Sequence, residues 1–267
     1  MNRPLLLRTW SWLALRGAII GLALVGWGWL MPFLYGQFSD LIRDMVTNNP
    51  VFEQMSSFGS GNLFTLGGTL TLGTQHPLVI SMLGIFAVGT ASTAIAGERQ
   101  RGTLEVLLAR PIPRRVVYLT LFVAIAAVIG ALLVALLVGM YAGSATQDLL
   151  GDLPAGELPL VWLNGFLLWT SFVSFSLAAS ASFDRTGPAI GLSLAYLLVN
   201  YFLEILGSLW TDVAWSQEYS LFHHFQVSEI LDGAADPIDF VILAVAVAVP
   251  LAWALVVFPR RDLAAPA

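Results

Sequence analysis

Residues 97–115 read GERQRGTLEVLLARPIPRR, the only strongly charged stretch inside an otherwise apolar sequence. This stretch, called here the arginine loop, carries five arginines and two glutamates between two long apolar runs. A polar segment between two membrane-length apolar runs must lie at a membrane face, and an arginine excess is typical of the cytoplasmic face. The stretch therefore predicts a helical membrane protein whose arginine loop lies in the cytoplasm.

The arginine loop also has the pattern of a short helix. One face of that helix carries three leucines at helical spacing: Leu104, Leu107 and Leu108. Thr103 can cap its start, and Glu105 lies in the first turn, where the helix dipole favours a carboxylate. Pro111 ends the helix, because the residue before a proline is pushed out of the helical conformation. Such an apolar face needs a cover, either lipid headgroups, the protein's own spans or a second protein.

Composition excludes several classes of protein. The chain is 57% hydrophobic and 11% charged, which is typical of a membrane protein. It has no cysteine, which excludes disulfides and thiolate chemistry. All twelve basic residues are arginine, so the chain has no lysine with which to form a phosphate-binding P-loop. If ATP drives this protein, ATP and its Mg²⁺ are bound by a separate chain.

Six apolar runs are long enough to cross a bilayer. They are residues 17–35, 77–96, 116–141, 160–182, 188–210 and 237–258. Residues 1–267 are thus predicted to form one all-α, six-span integral membrane domain, with an interfacial helix over residues 1–16, where arginines alternate with tryptophans. In this topology eleven of the twelve arginines lie inside and only Arg43 lies outside, so both termini are predicted to be cytoplasmic.

Polar residues within the fourth and fifth spans are candidates for a substrate pathway. They are Asn164, Ser171, Ser174, Asn200 and Glu204. The alternative is that the hydroxyls and amides bond their own backbone or join neighbouring helices, and that Glu204 reaches the headgroups near the outer end of its span.

A membrane-embedded enzyme is the second hypothesis, with Glu204 and the pair His223 and His224 near the outer face. The spacing of the histidines and Glu229 also suggests a metal site, but the sequence offers no further ligand beside these residues. The sequence has no nucleophile elbow and no H-E-x-x-H motif. We therefore predict no catalytic, cofactor-binding or metal-binding residue, and no nucleic-acid partner.

One family resemblance covers the arginine loop. Its pattern is Glu98-x-x-x-Gly102-Thr103-Leu104-Glu105-x-Leu107-Leu108-x-x-Pro111-x-x-Arg114. This pattern resembles the signature loop of type-2 ATP-binding-cassette (ABC) exporter permeases of the gliding-motility and nitrous-oxide-reductase maturation group. Outside the loop, only the span count and the loop placement are similar. An ordinary positive-inside loop with an interfacial helix is the alternative interpretation.

The resemblance implies a function and a set of partners. The arginine loop would form a coupling helix between spans two and three, docked on a cytoplasmic ATPase dimer. A second permease chain, expected to be an identical copy, would complete an exporter in the lipid of the cytoplasmic (inner) membrane. The three leucines would be the buried anchor, and the charged residues Glu98, Arg99, Arg101, Glu105 and Arg110 would form its rim.

Overall fold

The computed structural model describes residues 3–47, 65–104 and 112–261, and within these ranges the chain is helical without any strand. The helices are α1 (Arg3–Thr47), α2 (Leu66–Gln75), α3 (Pro77–Thr93), α4 (Ala96–Gln100), α5 (Arg114–Thr146), α6 (Leu158–Ser182), α7 (Thr186–Leu209), a 3₁₀ segment (Thr211–Tyr219), α8 (Val227–Leu231) and α9 (Pro237–Arg260).

Five of these helices are long and apolar enough to cross a membrane, as far as the described residues extend. They are α1, through its part Thr9–Phe38, and α5, α6, α7 and α9. The helices α2 and α3 meet at an angle of 40° and together qualify as a sixth span. The all-α membrane fold is therefore confirmed. Among the last four predicted spans the largest boundary difference is at α5, which reaches Thr146 rather than residue 141.

The N-terminal region differs from the prediction. Residues 3–16 are not a separate interfacial helix, because α1 continues without a break to Thr47. Pro4 lies in the first turn, where proline is tolerated. Gly17, at the predicted boundary, stays helical and faces Val128 of α5. One glycine costs a helix only about 1 kcal/mol, which is too little to end it here.

The helix α6 lies at the centre of the bundle and contacts α3, α5, α7 and α9. The helix α3 is also largely buried, as its small residues predict. Glycines bring α1 and α5 together in parallel: a Cβ atom on Gly139 would lie only 2.3 Å from the carbonyl oxygen of Val25, and one on Gly28 2.3 Å from that of Leu136. Close backbone contact through glycine is the usual way for membrane helices to associate.

Candidate coupling site at the arginine end

The arginine loop starts where α3 breaks into α4. The helix α3 ends at Thr93, and α4 begins at Ala96. A break of this kind leaves backbone N–H groups without helical partners. Two such groups are the N–H of Ile95 and the N–H of Ala96. Both donate to the Ser180 hydroxyl of α6, at 3.0 and 2.9 Å. One side chain of the central helix therefore fixes the point at which the loop leaves the bundle.

A glycine-terminated turn ends α4. Gly102 has a φ of +70°, a left-handed conformation that favours glycine. Its N–H donates to the Arg99 carbonyl at 2.9 Å, and the N–H of Thr103 donates to the Glu98 carbonyl at 2.9 Å. These two bonds form the Schellman motif that caps many helices. The spacing Glu98-x-x-x-Gly102-Thr103 in the family-like pattern therefore has a local structural cause.

The Glu98 side chain closes the same turn. Its carboxylate accepts the Thr103 hydroxyl at 2.6 Å and Arg101 Nη2 at 2.7 Å. Hydrogen bonds to a charged acceptor are stronger than neutral ones. The turn from Glu98 to Thr103 is thus a small rigid unit. Its surface residues Gln100 to Thr103 are exposed.

Asp184, in the turn between α6 and α7, joins this unit to the end of the chain. Its carboxylate lies 2.8 Å from Arg99 Nη1 and also pairs with Arg261 Nη2. Arg261 Nη1 donates to the Ala181 carbonyl at 2.7 Å. Burial lowers the pKa of Arg261 from its ordinary value, Asp184 acts in the opposite direction, and nearby Arg99 lowers it further. Asp184 is therefore the anion that allows two arginines to lie side by side.

Further bonds tie the loop to the neighbouring helices. Gln100 Oε1 accepts the N–H and the hydroxyl of Thr186 at 3.0 and 2.8 Å. Arg114 donates to the carbonyls of Pro259 and Arg261 at 3.2 and 2.8 Å, and Arg115 Nε donates to a carbonyl of α9 at 3.1 Å. These contacts place both ends of the arginine loop, the α6–α7 turn and the end of α9 at one end of the bundle, called here the arginine end.

Six of the predicted coupling residues are described and lie close together, namely Glu98, Arg99, Arg101, Gly102, Thr103 and Leu104. Arg114 holds the end of α9. Leu104 is only 3% exposed and packs in the chain's own core, so it is not an open anchor for a partner. The remaining predicted residues, Glu105, Leu107, Leu108, Arg110 and Pro111, lie outside the described residues.

A cavity of about 360 Å³ lies beside the arginine loop. Its walls are the first turns of α1, the end of α3, the side chains of Glu98, Arg101 and Thr103, and residues of α5. Sequence reasoning did not anticipate this cavity, nor the roles of Ser180, Asp184 and Gln100. Their partners are 77 or more residues away in the sequence, so no local pattern could identify them.

Three of the predicted pathway residues lie inside the bundle with backbone partners. Asn164 Nδ2 donates to the His224 carbonyl at 3.0 Å, and the Ser174 hydroxyl donates to the Val247 carbonyl of α9 at 2.7 Å. The Ser171 hydroxyl donates within its own helix at 2.6 Å. These bonds join helices or satisfy the backbone, as the alternative interpretation expects. A pathway role for these residues stays a prediction.

The other two pathway residues lie at the opposite end of the bundle. Asn200 accepts the N–H of Leu221 at 2.8 Å and so anchors the segment that follows the 3₁₀ turn. Glu204 accepts Gln217 Nε2 at 3.0 Å and faces a second cavity. His223 lines that cavity, whereas the Nδ1 atom of His224 lies 2.7 Å from Asp239. Across the described part of the chain, no group of three ligand-type side chains could hold a metal ion.

The long apolar helices, with helical breaks and turns satisfied by neighbouring side chains, define a multi-pass membrane protein. The chain belongs to the ABC-2 transporter protein family, because the model of that family matches residues 12–263. It is thus a transporter membrane subunit rather than a catalytic chain. No curated protein and no solved structure matches it.

Proposed function

We propose that this chain is the membrane-spanning subunit of an ABC exporter in the cytoplasmic membrane. Two copies would pair with each other, and a separate ATPase dimer would supply the energy. The family match over residues 12–263 is the observation that carries this proposal. The absence of lysine supports a separate ATPase, because a P-loop requires one.

The arginine end would face the cytoplasm. Arg99 and Arg261 both pair with Asp184 there, Arg114 donates to the Arg261 carbonyl, and Arg101 pairs with Glu98 of the same turn. Arginine accumulates on the cytoplasmic side of membrane proteins because its charge resists translocation. This orientation would place the exposed residues Gln100 to Thr103 within reach of a cytoplasmic ATPase.

A force on the arginine loop would reach more than the two spans it connects. The turn closed by Glu98 moves with Arg99, which pairs with Asp184 between α6 and α7. Asp184 in turn holds Arg261 at the end of α9. Packed elements with two discrete arrangements transmit coupling. In this proposal, closure of the ATPase dimer displaces the loop, and these ion pairs pass the displacement to α6, α7 and α9.

Leu107 and Leu108 would anchor the loop in the ATPase. Leu104, the third leucine of the stripe, is buried in this chain. Leu107 and Leu108 would supply an apolar centre, with arginines as the rim. The charged rim would orient the docking without adding much affinity.

Leu107→Asp tests the proposal. The chain would be co-expressed with a candidate P-loop ATPase from the same genome, and both the amount of ATPase co-purified and its rate of ATP hydrolysis would be measured. A charge in the apolar anchor should remove at least about 90% of the bound ATPase, since burying an unpaired carboxylate costs several kcal/mol.

Leu150→Asp is the matched control, because Leu150 is an exposed leucine at the opposite end of the bundle. It should leave ATPase binding unchanged. If a membrane-inserted Leu107→Asp chain still binds the ATPase fully, the loop is not the docking element. If both variants lose ATPase binding, the docking site is not confined to the arginine end.

A further inference from the structure

The end of the bundle opposite the arginine end contains a cavity of about 320 Å³, called here the distal cavity. It lies between the α2–α3 junction, the last turns of α7 and residues 217–229. Its polar wall includes Gln75, His76, Glu204, Gln217, His223 and Glu229. The volume is in the range of small-molecule sites, which combine apolar walls with a few polar groups.

The wall of this cavity carries several hydrogen-bond acceptors. Gln75 Nε2 donates to the Phe225 carbonyl at 2.8 Å, and Gln217 Nε2 donates to Glu204 Oε1 at 3.0 Å. Gln226 Nε2, also in the wall, donates to the His223 carbonyl. Each of the three amides thus uses at least one N–H of its nitrogen within the protein. No hydrogen bond from a described residue reaches their oxygens, and oxygen acceptors suit a ligand that donates.

Charge favours the same kind of ligand. Two carboxylates, Glu204 and Glu229, line the distal cavity, and no described arginine does so. Glu204 Oε1 has a partner, whereas its Oε2 atom is buried and has no hydrogen-bond partner among the described residues. A buried carboxylate oxygen without a partner is costly within a membrane protein. A donor cation in the cavity would satisfy it after a small rotation of the carboxylate.

Aromatic and aliphatic side chains complete the cavity. The rings of Tyr201 and Phe222 lie 5.7 Å apart between centroids in an edge-to-face arrangement, and both line the space. Leu72, Ile80 and Ile205 form the aliphatic part of the wall. Aromatic faces attract organic ammonium groups, and the attraction is larger where water is excluded. An apolar body attached to the cation would lie against the aliphatic wall.

We infer that the distal cavity is a binding site for a small organic cation, with its ammonium group near Glu204 and its apolar part against the rings of Tyr201 and Phe222. The site is formed by one chain and needs neither an ATPase nor a second copy. This inference therefore stands or falls separately from the proposed function.

Equilibrium dialysis of the full chain in lipid nanodiscs tests the site, with empty nanodiscs subtracted. The probe is benzylammonium, a primary ammonium ion whose N–H groups can donate, and benzenesulfonate is an aromatic ion of similar size and opposite charge. The measurement is made at about pH 8, above the ordinary titration range of histidine, so that the imidazoles add no positive charge. Saturable binding of the cation and none of the anion are expected. Equal binding of both ions would overturn the inference.

Glu204→Gln keeps the side chain's shape and removes its charge. It should weaken binding of the cation by at least about tenfold, which is the size of one charge-assisted contact. Glu218→Gln is the matched control, because Glu218 is exposed at the same end and does not line the cavity. It should change the affinity by less than about twofold. An unchanged affinity in Glu204→Gln would refute the assignment.

A second variant guards against loss of folding in Glu204→Gln. Ile205→Phe fills the cavity from its aliphatic side and leaves both carboxylates in place. It should abolish saturable binding of the cation without altering the melting temperature by more than a few degrees. Retained binding in a cavity-filled chain would place the cation elsewhere and overturn the inference.

Discussion

Asp184→Asn should destabilise the arginine end, because it leaves two arginines facing each other without an anion. The side chains of Arg99, Arg261 and Asp184 are 10%, 22% and 51% exposed. Fully exposed pairs contribute about 0–1 kcal/mol, and removal of one partner from a buried pair costs about 3–5 kcal/mol. With the arginines mostly covered and Asp184 half exposed, we expect a loss of about 2 kcal/mol, or about 30-fold in the unfolding equilibrium constant.

The sign of the coupling energy between Asp184 and Arg261 is a sharper test than the size of the loss in Asp184→Asn alone. In Asp184→Asn, Arg261 is left as a partly buried cation beside Arg99, whose charge already disfavours the protonated form of Arg261. Replacing Arg261 as well should therefore restore part of the stability lost in Asp184→Asn. The double variant Asp184→Asn/Arg261→Gln should be less destabilised than the sum of the two single variants by about 1 kcal/mol.

The assay is reversible unfolding of the purified chain in mixed detergent micelles, followed by far-ultraviolet circular dichroism. Asp152→Asn removes an exposed carboxylate in the α5–α6 loop and should change the free energy of unfolding by less than about 0.5 kcal/mol. The bridging role of Asp184 is refuted if the free-energy change of the double variant equals the sum of the two single changes within about 0.3 kcal/mol. It is also refuted if Asp184→Asn is as stable as the Asp152→Asn control.

Two further predictions concern packing and the helix break, with the same unfolding assay. Gly139→Ala should cost about 2 kcal/mol because its Cβ atom would collide with the Val25 carbonyl, whereas Gly26→Ala, with open space around Gly26, should be neutral or slightly stabilising; equal effects would rule out close α1–α5 contact. Ser180→Ala should cost about 2 kcal/mol by leaving two N–H groups of the break unpaired. Ser182→Ala, whose hydroxyl bonds only its own helix, should cost less than about 0.5 kcal/mol, and a Ser180→Ala chain no less stable than this control would show that water or another group satisfies the break.

Most of the fold could be predicted from the sequence because membrane spans are set by hydropathy and length. The length of α1 could not, since its extension beyond residue 35 and its start at Arg3 involve polar residues that a helix tolerates. The break after Thr93 also escaped prediction, because a hydroxyl 85 residues away stabilises it. Periodicity within one segment carries no information about such a partner.

The candidate site was also predicted only in part, because a local pattern does not reveal contacts between residues that are distant in the sequence. The pattern around Glu98 and Gly102 marked this loop as a candidate coupling site by resemblance, and local capping chemistry accounts for that part of the pattern. The resemblance assigned Leu104 to a partner surface, yet the chain's own core covers it. Spacing alone does not say which neighbour buries an apolar residue. The ion pairs of Asp184 could not be predicted, since its two arginine partners are distant in the sequence.

Cross-linking to the ATPase tests most directly the central claim that the arginine loop docks on the ATPase. The chain has no cysteine, so an introduced cysteine is its only thiol. Thr103→Cys places one thiol on the exposed turn of the arginine loop, and Asp212→Cys places one on the exposed 3₁₀ segment at the opposite end. In inner-membrane vesicles containing the co-expressed ATPase, a bifunctional thiol cross-linker should join the ATPase to the chain from position 103 only, in a yield that changes when ATP is added. A cross-link from position 212, or none from position 103, would contradict the account.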